Sequence, residues 1–243
     1  MRTSISRTVH TGLHSHEFFA TDGKTRTLAL IFPTWAGISA FERAVAKRLN
    51  GMGLDAVIVD YHGSRTDLTS MEGRQEAMQN LVADFEALRQ HLQTLKSEIE
   101  RELGAYENKL SLGYCLGGLC TLQLGLIDSE LRASISFHGL LSFPKDLPAL
   151  TSGCRFLILN GSADPMVTRQ EIAETLDYFD QNQLDMSFIS FSGTAHSFAI
   201  PGSNNPAAGV SYSPLADRRS WRLATDLIAE VSEANKASEG KDA

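Results

Sequence analysis

The chain contains no run of about 18 apolar residues, the length a helix needs to cross a bilayer. Residues 1–20 hold Arg2, Arg7, His10, His14, His16 and Glu17 where a secretory signal would be apolar. Neither a membrane span nor a leader is expected, and the protein reads as cytoplasmic. Basic charge is also scarce. The 22 Lys and Arg stand against 29 Asp and Glu, a net charge of −7, without the clustered cations that nucleic acid or an anionic membrane requires. Cysteine numbers only three, Cys115, Cys120 and Cys154, an odd set lacking zinc-site spacing, so neither a disulfide framework nor a metal is expected. No internal repeat is present, and no cofactor is expected.

What the sequence does have is alternation. The runs 27–33 (TLALIFP), 55–61 (DAVIVDY), 109–114 (KLSLGY), 133–139 (ASISFHG), 155–161 (RFLILNG) and 186–193 (MSFISFSG) are compact, apolar and closed by Gly, Pro or polar residues, the pattern of buried parallel strands. Helical runs lie between them. Ser39 with Glu42 and Thr168 with Glu171 are spaced as capping boxes. Leu81, Phe85, Leu88, Leu92, Leu95 and Ile99 recur at steps of four and three, one stripe of a long helix that either the chain's own sheet or a coiled-coil partner covers. A last amphipathic helix is expected over 215–234. Asp22-Gly23, between two extended runs, suits a tight turn and predicts an antiparallel edge hairpin ahead of the parallel strands.

Together these predict one α/β domain over residues 1–243, with polar tails over about 1–10 and 235–243 expected to be disordered. Its sheet should be mostly parallel, with helices on both faces and the N-terminal hairpin at an edge. Ligands of such sheets bind beyond the carboxyl ends of the strands, so chemical residues should follow strands.

Three do. In "GYCLGG", Gly113 and Gly117 flank Cys115 at two residues on either side, with a strand entering and an apolar helical run leaving. A sharp strand-to-helix turn needs small residues at those offsets and exposes the tip of the central side chain. It also sets the sulfur at a helix N-terminus, which favours a thiolate. Packing alone would explain a lone G-x-C-x-G. Downstream, however, Asp164 follows one strand in "NGSADPMV" and His196 follows the last in "SGTAHSFA". Nucleophile, acid and histidine in that order are the components of a Cys-His-Asp triad on an α/β-hydrolase sheet. The oxyanion donors expected are the backbone N–H groups of Leu116 and of Trp35, in the loop after the first parallel strand.

At these residues the sequence resembles the dienelactone hydrolase family of α/β-hydrolases, through "GYCLGGLC", "FHG" at 137–139, "GSADPMV" and "AHSFA", and loosely from about residue 27 to the terminal helix. The resemblance implies an α/β-hydrolase-like fold and a Cys115 nucleophile, with His196 as base and then acid and Asp164 orienting it. It implies hydrolysis of small carboxylic esters or lactones through an acyl-enzyme. Two positions depart from the family's pattern. Thr34 stands where the resemblance implies a glutamate facing the thiol, and Ile200 where it implies an arginine holding a substrate carboxylate. Without that glutamate, Cys115 and His196 should rest partly as thiolate and imidazolium.

Thr34, His138, Phe198, Ile200 and Tyr212 are the remaining pocket candidates. His138 either touches ligand or is a hydrogen-bonded structural histidine, and Arg65 and Arg74 read as solvated charges. The Pro-, Gly-, Ser- and Asn-rich stretch from Phe198 should cover the site. The partner is a small-molecule ester or lactone, and the chain a monomer or weak homodimer. Two other functions stay open: a non-catalytic or regulatory small-molecule-binding protein on the same scaffold, and a redox thiol at Cys115, for which Cys120 is poorly placed by helical geometry.

Overall fold

A computed structural model describes residues 5–23, 25–150 and 153–239. The six apolar runs form parallel strands β3 (Thr27–Phe32), β4 (Asp55–Ile58), β5 (Asn108–Tyr114), β6 (Leu131–Phe137), β7 (Arg155–Gly161) and β8 (Met186–Phe191). Ahead of them lie β1 (Ile5–Thr11) and β2 (His14–Ala20), and the eight strands pair in the order β1-β2-β4-β3-β5-β6-β7-β8. The β1–β2 and β2–β4 ladders are antiparallel and the rest parallel.

The antiparallel edge is there, but Asp22-Gly23 does not make it. The hairpin turns at Gly12-Leu13, where Gly12 has φ +58°, and β2 then pairs with β4 instead of with the strand that follows it. Thr21 explains the crossing: its N–H and hydroxyl both donate to Asp55 Oδ1 at the start of β4, carrying the chain over β4 toward β3. Residues 5–10, expected in a tail, are therefore strand. Residues 1–4 and 240–243 lie outside the described residues.

Helices cover both faces. On one side α1 (Ala40–Gly51) and α6 (Pro214–Glu239) bury Val45, Leu49, Ala224, Ile228 and Val231 against β3, β5, β6 and β7. On the other, α3 (Phe85–Leu103), α4 (Leu116–Gly125) and α5 (Arg169–Gln181) close a second core. Both predicted capping boxes form, at Ser39 with Glu42 and at Thr168 with Glu171. The stripe from Leu81 to Ile99 belongs to two helices: Asp84 accepts from the N–H groups of Glu86 and Ala87 and starts α3 anew, leaving Leu81 on α2 (Met71–Val82). Leu88, Leu92, Leu95 and Ile99 sit in the chain's own core, which settles the coiled-coil alternative. No helix among the described residues is long and apolar enough to cross a membrane.

Candidate active site

Cys115 ends β5 and begins α4 with φ +55° and ψ −119°, backbone territory that a β-carbon disfavours. The strain is held from both sides. Its N–H donates to Phe137 O on β6 at 3.1 Å, and its carbonyl accepts from Gly118 N–H at 2.9 Å. The flanking glycines are steric necessities: a Cβ on Gly113 would strike the Gly117 carbonyl, and one on Gly117 would strike the carbonyls of Phe32 and Pro33 at the end of β3. Every residue of α4 is buried, so the helix is fixed against the sheet, and the N–H groups of Leu116 and Gly117, next to Cys115 in its first turn, have no intrahelical acceptor.

Asp164 lies three residues beyond β7 with its side chain closed to solvent. Its Oδ1 accepts from Met166 N–H at 2.8 Å, and its Oδ2 stands 2.7 Å from His196 Nδ1. That geometry assigns the Nδ1 proton to the carboxylate side and leaves Nε2 facing the other way. His196 is five residues beyond β8, and its backbone is stitched at both ends, its N–H donating to Gly209 O and its carbonyl accepting from Ser211 N–H.

Nε2 of His196 is buried and has no hydrogen-bond partner of good geometry among the described residues, yet Cys115 lies close enough to act on the ring. Burial, the largest influence, lowers the His196 pKa. The Asp164 hydrogen bond and then Cys115 raise it further than burial lowers it, and the ring ends at about 9. The carboxylate on Nδ1 thus favours the charged form of the ring, and Cys115 lies on the side of its other nitrogen.

Cys115 and His196 open onto one cavity of about 520 Å³, within the range of small-molecule pockets. Its wall comes from five segments. The β3–α1 loop gives Thr34 and Trp35, α2 gives Met78, the β6–β7 connection gives Leu140, and the loop of Asp164 gives Met166. The stretch after His196 gives Ser197, Ile200, Ser203, Asn205 and Val210. Trp35 is presented by a tight loop in which Thr34 O accepts from Gly37 N–H and from the Tyr61 hydroxyl, while the Thr34 N–H points to Glu42 Oε1.

Of the five pocket candidates, Thr34 and Ile200 line the cavity. His138 does not: it is fully buried at the end of β6 with φ +39°, and neither ring nitrogen has a hydrogen-bond partner among the described residues. Both expectations for it are thereby corrected. It packs edge-on to His196, ring centroids 5.0 Å apart, and to Phe198 at 5.2 Å. Burial, and then the charge on His196, hold its pKa well below the ordinary value. Phe198 is core beneath the site, against His138 and Phe191. Tyr212 turns away and donates to Asp217 Oδ2 at 2.9 Å. Neither Arg65 nor Arg74 reaches the wall.

The residues missed from the sequence are chiefly Met78, Leu140, Met166, Ser203, Asn205 and Val210. Leu140 and Met166 had a signal, standing next to "FHG" and inside "GSADPMV". The others depend on how α2 and the stretch after His196 fold over the rim. Cys120 and Cys154 are buried with their thiol pKa values pushed up by burial, so neither serves as a resolving thiol. Among the described residues no group of three or more His, Cys, Asp or Glu side chains could hold a metal ion.

Solved structures resemble most of the chain. One named m3DLH is 26% identical, covers 95% of this chain and 98% of its own, and superposes with a TM-score of 0.82. A dienelactone hydrolase-like promiscuous phosphotriesterase from metagenomic libraries is 23% identical over 95% of this chain and 98% of its own, with a TM-score of 0.84. A dienelactone hydrolase from Anabaena variabilis is 17% identical over 94% of this chain and 98% of its own, with a TM-score of 0.64. No curated protein sequence matches. The model of the dienelactone hydrolase family matches residues 18–232, from within strand β2 to within the last helix and across every residue of the cavity wall, and the chain belongs to that family.

Proposed function

We propose that the protein is a cysteine hydrolase of small, activated carboxylic esters or lactones, acting through an acyl-enzyme. The observation that carries this reading is the placement of His196 between Asp164 Oδ2 at 2.7 Å and the Cys115 thiol, both Cys115 and His196 on one cavity wall. A carboxylate that fixes Nδ1 leaves Nε2 free to pass a proton between sulfur and substrate.

Cys115 Sγ, its proton held by His196, attacks the acyl carbon. The C=O electron pair moves onto oxygen, which the N–H groups of Leu116 and Trp35 receive. Collapse of the tetrahedral adduct breaks the bond to the leaving oxygen, and His196 Nε2 protonates that oxygen as it departs. The thioester left on Cys115 is then attacked by water. His196 takes the water's proton and the thiolate leaves, which releases the carboxylic acid and restores the ion pair. Asp164 stays ionised throughout and stabilises each imidazolium. A thiolate attacks readily and leaves readily, so it suits esters with good leaving groups and not amides.

Turnover of p-nitrophenyl acetate tests the reading. Wild type should release p-nitrophenolate, and Cys115→Ala and His196→Ala should lose at least a hundredfold. Equal turnover by Cys115→Ala would overturn the cysteine nucleophile, and no turnover by wild type on an ester, lactone and thioester panel, with an unreactive Cys115, would favour a binding protein on this scaffold.

A further inference from the structure

The cavity carries a second message, about what sits in it. Of the twelve side chains on its wall none is Lys, Arg, Asp or Glu, and the only titratable ones are Cys115 and His196. Trp35, Met78, Leu140, Met166, Ile200 and Val210 supply most of the lining. Carboxylates do stand behind it. Asp164 is behind His196, and Glu42, 1% exposed, is behind Thr34, whose N–H it faces. The one side chain at the wall able to carry positive charge, His196, already has its Nδ1 on Asp164 Oδ2 at 2.7 Å. The two arginines nearest in sequence to lining residues stay off the wall: Arg169, three residues after Met166, is exposed at the start of α5, and Arg74, four residues before Met78, spends its Nε on Leu68 O at 2.6 Å.

We propose that the site selects uncharged esters with an apolar acyl chain of medium length or an aryl ring, and discriminates against substrates bearing a carboxylate. The proposal rests on the hydrolase reading above and narrows it to a substrate class. A substrate carboxylate would be stripped of water in a cavity with no Lys or Arg on its wall and two carboxylates behind it, and uncompensated burial of charge is strongly unfavourable. A space of about 520 Å³ is far larger than an acetyl group needs. Methylenes added to the acyl chain should therefore be buried, each raising kcat/KM by about threefold to fourfold until the cavity is full. Met78 and Met166, unbranched and polarisable, let the wall adjust to chains and rings alike. Ile200 is the position at which to test the discrimination, because it lies on the wall four residues after His196, where a cationic side chain would supply the charge the lining lacks.

The test is a matched set: p-nitrophenyl acetate, p-nitrophenyl hexanoate, and the p-nitrophenyl monoester of adipic acid, whose chain is the same length and ends in a carboxylate. Each is assayed with wild type, Cys115→Ala and Ile200→Arg. The expected result is Cys115-dependent turnover of all three, with kcat/KM for hexanoate at least tenfold above acetate and at least tenfold above the adipate monoester. Ile200→Arg should narrow or reverse the second ratio. An adipate monoester hydrolysed as well as hexanoate, or no gain from acetate to hexanoate, would overturn the substrate class and leave the nucleophile intact. Loss of no activity in Cys115→Ala would overturn the hydrolase reading itself, and the substrate class with it.

Discussion

Gly209 lies directly against the ring of Pro165, so close that a Cβ at 209 would overlap Pro165 Cγ and Cδ. The contact joins the two loops that make the acid–histidine pair. Pro165 follows Asp164, and the Gly209 carbonyl holds the N–H of His196. The stretch after His196 is thus a brace as well as a wall, with Asn204–Asn205 and Val210–Ser211 forming a small antiparallel ladder across it.

Gly209→Ala should therefore act on both loops. Gly209 has φ +68°, unfavourable for alanine, and the added methyl has no room. We expect a loss of about 1–3 kcal/mol in stability, read from urea midpoints. Esterase kcat should fall at least tenfold in the fraction that stays folded, because the 2.7 Å contact cannot survive a shift of either loop. Unchanged kcat would show that the brace is not needed.

Asp164→Asn should move the pH profile. In the proposed mechanism acylation needs the His196 proton, so its rate should fall as pH rises through about 9. With the carboxylate gone, the main influence raising the ring's pKa is removed, and the alkaline limb should shift to lower pH, with kcat down by at least a hundredfold. A limb that stays in place in the variant would mean that another group controls it.

Reactivity of the thiol gives a third check. Carbamidomethylation of Cys115 by iodoacetamide at pH 6.5 should be at least tenfold slower in His196→Asn than in wild type, because the ring that takes the proton of the attacking sulfur is lost. Equal rates would contradict a His196 that acts on the sulfur.

Acid should loosen the antiparallel edge before it affects the carboxylates. His16 is fully buried, bonded to Thr11 Oγ1 and to Asp60 N–H, and burial holds its pKa at about 4 despite the opposing pull of Asp60. His62, near Asp60, His91 and His14, is likewise held at about 4 by burial. A histidine whose folded pKa lies below its unfolded value of about 6.5 binds its proton preferentially when unfolded. Stability should accordingly fall as pH drops from about 6.5 to 4, by on the order of 3 kcal/mol for His16. Asp67 and Glu130, held at about 2, lose their contributions only below the ordinary carboxylate range. His196 has the opposite sign: its contribution is full below about 6.5 and is lost toward about 9. Urea midpoints at pH 7 and 4.5 should differ in wild type and differ less in His16→Gln. A flat profile in wild type would contradict the assignment.

How much of this was legible in the sequence follows from the kind of signal each element carries. Strands such as Thr27–Phe32 and Arg155–Gly161 are buried on both faces and show as unbroken apolar runs. The elbow was legible because its glycines are forced by backbone contacts within a few residues. Strand β1 was not, because an edge strand of Ser, Arg, Thr and His has the composition of a tail, and its partner is fixed by tertiary contacts. The break at Asp84 was hidden by a hydrophobic stripe that stays in phase across two helices. Met78, Ser203 and Asn205 meet at the cavity only once α2 and the stretch after His196 have folded over the sheet. His138 was misjudged because its positive φ turns the ring away from the cavity and under His196, which no local pattern announces.

The account stands or falls on a covalent bond to Cys115. Rapid acid quenching after mixing with p-nitrophenyl hexanoate, followed by intact-mass and peptide mass spectrometry, reads it directly. The predicted result is a transient species heavier by one hexanoyl group, located on the peptide of Cys115 and absent from Cys115→Ala. Product accumulating with no acyl adduct, or an adduct on another residue, would contradict it.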